Sequence, residues 1–168
     1  IEDGELRIEG EVVTVTFDDN GGDGRMKPQR LPAGKAVRLN ANTFTGMYHT
    51  FKEWNTRRDG SGKSYADKAK ITLTEDITLY AQWYTNVTLR AKSKRADFTG
   101  EPITVEGFDV LFEHGAPATW VSFPGVSAKR TETEPGTYPV KVRGAKVNET
   151  ATSDGEYDYL VTKIEDGE

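Results

Sequence analysis

The sequence predicts a mainly β protein of two small modules in tandem, elongated as a repeat segment would be. Three observations carry this expectation. Apolar and polar residues alternate with period two along most of the 168 residues. Clusters of Gly, Asn, Asp and Pro, the residues that tight turns require, separate the alternating runs. The word Ile1-Glu2-Asp3-Gly4-Glu5 recurs as Ile164-Glu165-Asp166-Gly167-Glu168, which points to a tandem repeat whose modules stack on their neighbours.

Taken in order, Val13, Val15 and Phe17 alternate with Thr14 and Thr16, and Asp18 to Gly24 supplies a turn. Leu31 to Gly34 reads as a loop, and Ser64 to Lys70 as a single helical turn. Ile71 to Leu73 alternates again, and Ile77, Leu79, Ala81 and Trp83 share one face of the next strand. After Tyr84 the pattern restarts with Val87, Leu89 and Ala91, then Ile103 and Val105. Further strands are predicted at Val110–Phe112, Trp120–Phe123, Tyr138–Val142 and Tyr157–Val161. The abundant Thr favours extended backbone through its branched Cβ. A boundary near Tyr84-Thr85 gives modules 10–84 and 85–168. Their expected core anchors are Phe17, Phe51, Trp54, Leu79 and Trp83 in the first, and Val105, Trp120, Tyr138, Val140 and Val142 in the second.

Composition excludes several classes of function. No cysteine is present, which removes disulfides, thiolate metal sites and thiol nucleophiles. The net charge is −5 and no basic stretch occurs, so nucleic acid is not an expected partner. No apolar run reaches the roughly 18 residues of a membrane span, so this segment is not expected to insert. The two histidines, His49 and His114, stand outside any zinc-ligand spacing and beside no nucleophile elbow. Adjacent carboxylates such as Asp18-Asp19 and Glu165-Asp166 point to opposite faces of a strand and cannot flank one glycosidic bond. The Asp19 to Arg30 stretch lacks the closing Glu of a calcium loop. No enzyme activity, no cofactor and no metal are expected.

The first module carries a series of motifs from Val13-Thr14-Val15-Thr16-Phe17-Asp18 and Asn20-Gly21-Gly22 through Asn42 to Thr45, Phe51-Lys52, Trp54-Asn55-Thr56, Asp59 to Gly62 and Tyr65-Ala66-Asp67. The series closes on Ile71 to Thr74 and Leu79-Tyr80-Ala81-Gln82-Trp83. In this order it resembles the Listeria–Bacteroides repeat, also called the internalin B-repeat. The resemblance implies a β-grasp-like module of a bacterial surface protein. Three residues depart from the family pattern: Tyr48 where Gly is expected, His49 where Tyr is expected, and Glu53 where Gly is expected. These three positions are the place to look for an interaction site.

The second module resembles, more loosely, bacterial Ig-like or MBG surface repeats, through Phe98-Thr99-Gly100-Glu101-Pro102 and Pro135 to Val142. This implies a β-sandwich-like module. In such repeats a final strand reads G-x-L-x-I, a pattern found here as Gly4-Glu5-Leu6-Arg7-Ile8. Residues 1–9 are therefore expected to be the leftover terminal strand of a preceding copy, in a chain excised from something longer. Leu6 and Ile8 would then form a head-to-tail strand given to a neighbouring copy. The resemblances and the repeat together imply a non-catalytic stalk segment of a bacterial cell-surface, adhesin-like protein. It would act as a rigid spacer, extracellular and wall-anchored through its parent protein. Its partners would be neighbouring copies of the repeat; the alternative is a module that recognises a host protein or glycan.

Overall fold

The computed structural model describes residues 10–115, 117–118, 121–152 and 158–167. These residues form strands and connecting turns with no helix, so the mainly β expectation holds. The chain divides into two compact units. The first holds the residues up to Met47 together with Phe51–Trp83, and the second holds Tyr48–Thr50 and the residues from Tyr84 onward.

In the first unit β1 (Val12–Asp18) buries Val13, Val15 and Phe17 and turns Thr16 to solvent, as its alternation dictates. It pairs antiparallel with β2 (Gln29–Pro32), placing Val13 opposite Leu31. It also pairs parallel with the start of β7 (Ile77–Ala91), placing Phe17 beside Leu79. β3 (Ala36–Arg38) pairs with β6 (Lys70–Thr72), and β4 (His49–Asn55) with β5 (Ser64–Tyr65), both antiparallel. The core gathers Val13, Val15, Phe17, Leu31, Leu39, Phe44, Trp54, Ile71, Leu79 and Ala81. Phe51 and Trp83, expected as core anchors, are half-buried and lean on it.

Two local expectations fail here. Leu31 and Pro32 belong to β2 and not to a loop, because Leu31 fills the core and Pro32 ends the strand, where a missing N–H costs no ladder bond. Ser64 to Lys70 makes no helical turn. Its first two residues pair with β4, and a turn closed by Ala69 N–H donating to the Ala66 carbonyl (3.1 Å) follows, with Lys68 at φ +57°. A lone helical turn fixes several dihedrals for one hydrogen bond and loses to strand pairing.

In the second unit the later residues of β7 are flanked on two sides. β9 (Phe108–Phe112) runs antiparallel, with Leu89 opposite Val110. β13 (Asp158–Glu165) runs parallel, with Val161 beside Val87 and Glu165 beside Arg90, across a register shift between Val161 and Lys163. β12 (Thr150–Thr152) pairs with β13. A separate three-stranded antiparallel sheet has the order β11 (Val142–Arg143), β10 (Ser127–Glu132), β8 (Ile103–Glu106). Val87, Leu89, Val110, Ala118, Val121, Phe123, Tyr159 and Val161 form one core cluster; Ala91, Ala128 and Val140 form a smaller one.

Four sequence expectations are corrected in this unit. The pattern does not restart after Tyr84: β7 runs unbroken from Ile77 to Ala91. Val121 and Phe123 are buried but irregular, held by apolar burial without a ladder. The predicted Tyr138–Val142 strand reduces to a bridge at Val140 and the short β11, because Pro139 has no N–H to give. The last strand extends to Glu165, well past Val161. Val105, Tyr138 and Val142 are half-buried, and Val140 is the fully buried member of that set. Trp120, Tyr157 and the 1–9 strand with Leu6 and Ile8 lie outside the described residues.

Candidate functional site

The first unit is built around an aromatic cluster and two asparagine locks. Trp54 is 0% exposed. Phe17, Phe44 and Phe51 surround it at ring-centroid distances of 4.9, 6.0 and 5.0 Å, in tilted or edge-on geometry. Among the described residues its indole N–H has no hydrogen-bond partner. Trp83 stands edge-on to Phe51 at 5.9 Å and donates its own indole N–H to the Asp19 carbonyl at 3.0 Å.

The first lock is Asn20, at φ +49° in the turn after β1. Its side-chain amide donates to the Arg58 and Ala81 carbonyls at 2.9 and 2.8 Å. Asp18 accepts from the Asn20 N–H (2.9 Å) and from the Arg58 guanidinium (2.9 Å), and that guanidinium also lies over the Tyr80 ring at 5.1 Å. Gly22 must be glycine, because a Cβ there would run into the Trp83 ring. Asp18 thus closes β1, Asp19 follows it into the turn, and Asp23 bridges to Thr45. Among the described residues no group of three or more His, Cys, Asp or Glu side chains gathers where it could hold a metal ion.

The second lock is Asn55, also 0% exposed. Its amide nitrogen donates to the Gly60 and Gly62 carbonyls and to the Ser64 hydroxyl at 2.9, 3.3 and 3.1 Å. Its oxygen accepts from the Arg57 and Gly62 N–H groups, both at 2.9 Å. One side chain thereby fixes the whole loop between β4 and β5. Ser64 donates onward to Glu53 at 2.7 Å, so Glu53 buttresses this lock.

The three departures from the family pattern stand at the start of β4 and within it. Glu53 belongs to the first unit, whereas Tyr48 and His49 cluster with the second. Tyr48 sits at φ +63° and 43% exposed, with its ring edge-on to His114 at 5.7 Å. Its carbonyl accepts from the Asn86 N–H at 3.0 Å, and Thr50 donates to the Asn86 side chain at 2.8 Å. His49 is exposed.

The second unit carries a concentration of charge that the sequence alone does not display. Lys129, Arg130, Lys141 and Arg143 line one depression with Glu132 and Pro139. They come from two separate stretches of chain that pair as β10 and β11. The only hint in the sequence is the alternation Lys141-Val142-Arg143. In a second depression Glu165 accepts from Lys163 (2.6 Å) and from Arg90, and these two bonds hold its carboxyl below the usual range. Asp59 is likewise lowered by the hydroxyl and N–H of Ser61.

A protein of Evansella cellulosilytica, named as a Gly-rich membrane protein, is 52% identical over 77 residues. That alignment covers 44% of this chain and 9% of the relative, so the chain spans under a tenth of that protein's length. No solved structure matches. Residues 14–82 match the Listeria-Bacteroides repeat domain, the family that the first module resembles in sequence, and the match ends inside β7.

Proposed function

We propose that this chain is a non-catalytic repeat segment of a bacterial cell-surface protein, and that it acts as a spacer. The observation that carries the proposal is the family match over residues 14–82, on a chain whose word Ile1–Glu5 recurs at Ile164–Glu168. The Evansella relative is named as a membrane protein and is far longer than the aligned region, which fits a small module set within a large envelope protein. The interiors support a mechanical role. Both polar locks are spent on holding loops, the aromatic cluster is closed, and Glu165 in the second depression is held by Lys163 and Arg90 of the same chain. The modules are 10–84 and 85–168, stability accumulates copy by copy, and the parent protein supplies the wall anchor.

The test is the flanking sequence of the gene, joined to protease shaving of intact cells. Further copies at the same spacing, and release of this segment by protease outside the cell, are the expected results. A catalytic domain next to a single copy would overturn the spacer reading. Micromolar or tighter binding of this chain in a host-protein or glycan array would replace it with the ligand-binding reading. Tyr48 and His49 would then be the first residues to substitute.

A further inference from the structure

The repeated word acquires a physical meaning once its second occurrence is placed. Ile164 and Glu165 end β13 beside Leu89 and Arg90. Gly167 then bridges antiparallel to Val140: the Val140 N–H donates to the Gly167 carbonyl at 2.6 Å, and the Gly167 N–H to the Val140 carbonyl at 2.9 Å. Continued in the same register, the residue two beyond Gly167 falls opposite Tyr138. Among the described residues the N–H and C=O of Tyr138 have no main-chain partner. Backbone groups alternate sides along an extended chain, and the Pro139 carbonyl faces the other way, accepting from Arg130 at 3.2 Å. Tyr138 therefore presents its donor and acceptor on the Gly167 side. Pro139, which has no N–H, occupies a position where none is needed.

After its first occurrence the same word is followed by Leu6-Arg7-Ile8-Glu9. In the register set by Val140 and Gly167, Leu6 falls opposite Tyr138, and Leu6 and Ile8 take the face that Val140 buries. Arg7 and Glu9 take the exposed face of Pro139 and Lys141. A slip by one residue would reverse this and expose both apolar side chains. We propose that the Tyr138 edge of the β11–β10–β8 sheet is an acceptor for residues 6–9 of a second copy of this chain, which add a strand beyond β11. This rests on the tandem-repeat reading and names the contact between successive copies. The acceptor is flanked by Lys129 and Arg130, which pair with Glu106 and Glu132, and by Lys141 and Arg143, beside which Glu5 and Glu9 of the incoming segment would come to lie.

The experiment uses the whole chain and two variants, one lacking residues 1–9 and one in which residues 6–10 are moved to follow Glu168. The whole chain should associate as concentration rises, and both variants should stay monomeric. The moved segment should raise the melting temperature of the second unit by about 5 °C over the chain lacking residues 1–9. Leu6→Asp within the moved segment should abolish that rise, and Arg7→Gln should leave it intact. A whole chain that is monomeric at every concentration overturns the proposal. So does a moved segment that gives no rise, or that works equally well with Leu6→Asp. None of these outcomes depends on whether the parent protein is a spacer, which the flanking sequence decides.

Discussion

Asn55→Ala tests how much of the first unit depends on one buried amide. The substitution removes five hydrogen bonds and leaves the Arg57 and Gly62 N–H groups and the Gly60 and Gly62 carbonyls without that partner. Each net bond contributes about 1 kcal/mol, and a donor left dry costs about 1–3 kcal/mol. The loop from Thr56 to Lys63 is largely exposed, so water re-solvates much of it. The expected loss is about 2–4 kcal/mol, read as a fall in the urea midpoint of the first unit by tryptophan fluorescence. Asn55→Asp sharpens the argument. It keeps the acceptor oxygen but turns a second oxygen toward two carbonyls, which raises the carboxyl's folded pKa above its unfolded value of about 3.9. A raised carboxyl is fully tolerated only below its unfolded pKa, and stability falls as pH rises toward the folded one. The gap between Asn55→Asp and the natural chain should therefore widen from acid to neutral pH. A change below about 0.5 kcal/mol for Asn55→Ala, or a gap that is flat with pH, would refute the lock.

Other expectations follow from the same geometry. Trp54→Ala should cost about 3–5 kcal/mol, whereas Trp54→Phe should stay within about 1.5 kcal/mol, because it also removes an indole N–H that is buried without a partner among the described residues. Paired denaturant melts separate the two. Gly22→Ala should destabilise the first unit by about 2 kcal/mol by pushing the Trp83 ring off the Asp19 carbonyl, visible as a shift in tryptophan emission. Glu165 is held below its ordinary value of 4.5 by Lys163 and Arg90, so its contribution is present above that pH and is lost as pH falls through the lowered value. Glu165→Gln should flatten the acid limb of the second unit's stability profile.

Much of the fold was legible because it rests on alternation. Val13, Val15 and Phe17, and Leu79 with Ala81, needed only period two to be assigned inward. The failures occurred where a partner strand decided the matter. Ser64 and Tyr65 become strand because Asn55 and Trp54 lie opposite them, and Val121 and Phe123 bury themselves without any strand. Of the two locks, Asn20 was legible only as a turn-former and Asn55 only as a member of the Trp54-Asn55-Thr56 motif. Asn20 and Asn55 stand in motifs that the family resemblance picks out, yet their bonds reach Ala81 and Ser64, and no local pattern states that. The cationic depression required the pairing of β10 with β11 to exist at all.

The two occurrences of one word offer a controlled comparison inside a single chain. Gly167 is buried, and a Cβ on it would stand 2.5 Å from the Lys92 carbonyl oxygen and 2.6 Å from that of Ala91. Both obstacles are backbone, so neither can swing aside as a side chain would. Gly167→Ala should therefore displace the tail from Val140 and cost the second unit about 2–3 kcal/mol. Gly4→Ala alters the same letter of the same word. If the word acts only where Leu89, Arg90 and Val140 receive it, the change at Gly4 should fall within about 0.5 kcal/mol of zero. Equal losses at the two glycines would mean that the first occurrence is itself docked in the chain. Gly4 and Gly167 would then be duplicated structural parts, and residues 6–9 could not be free to reach a second copy.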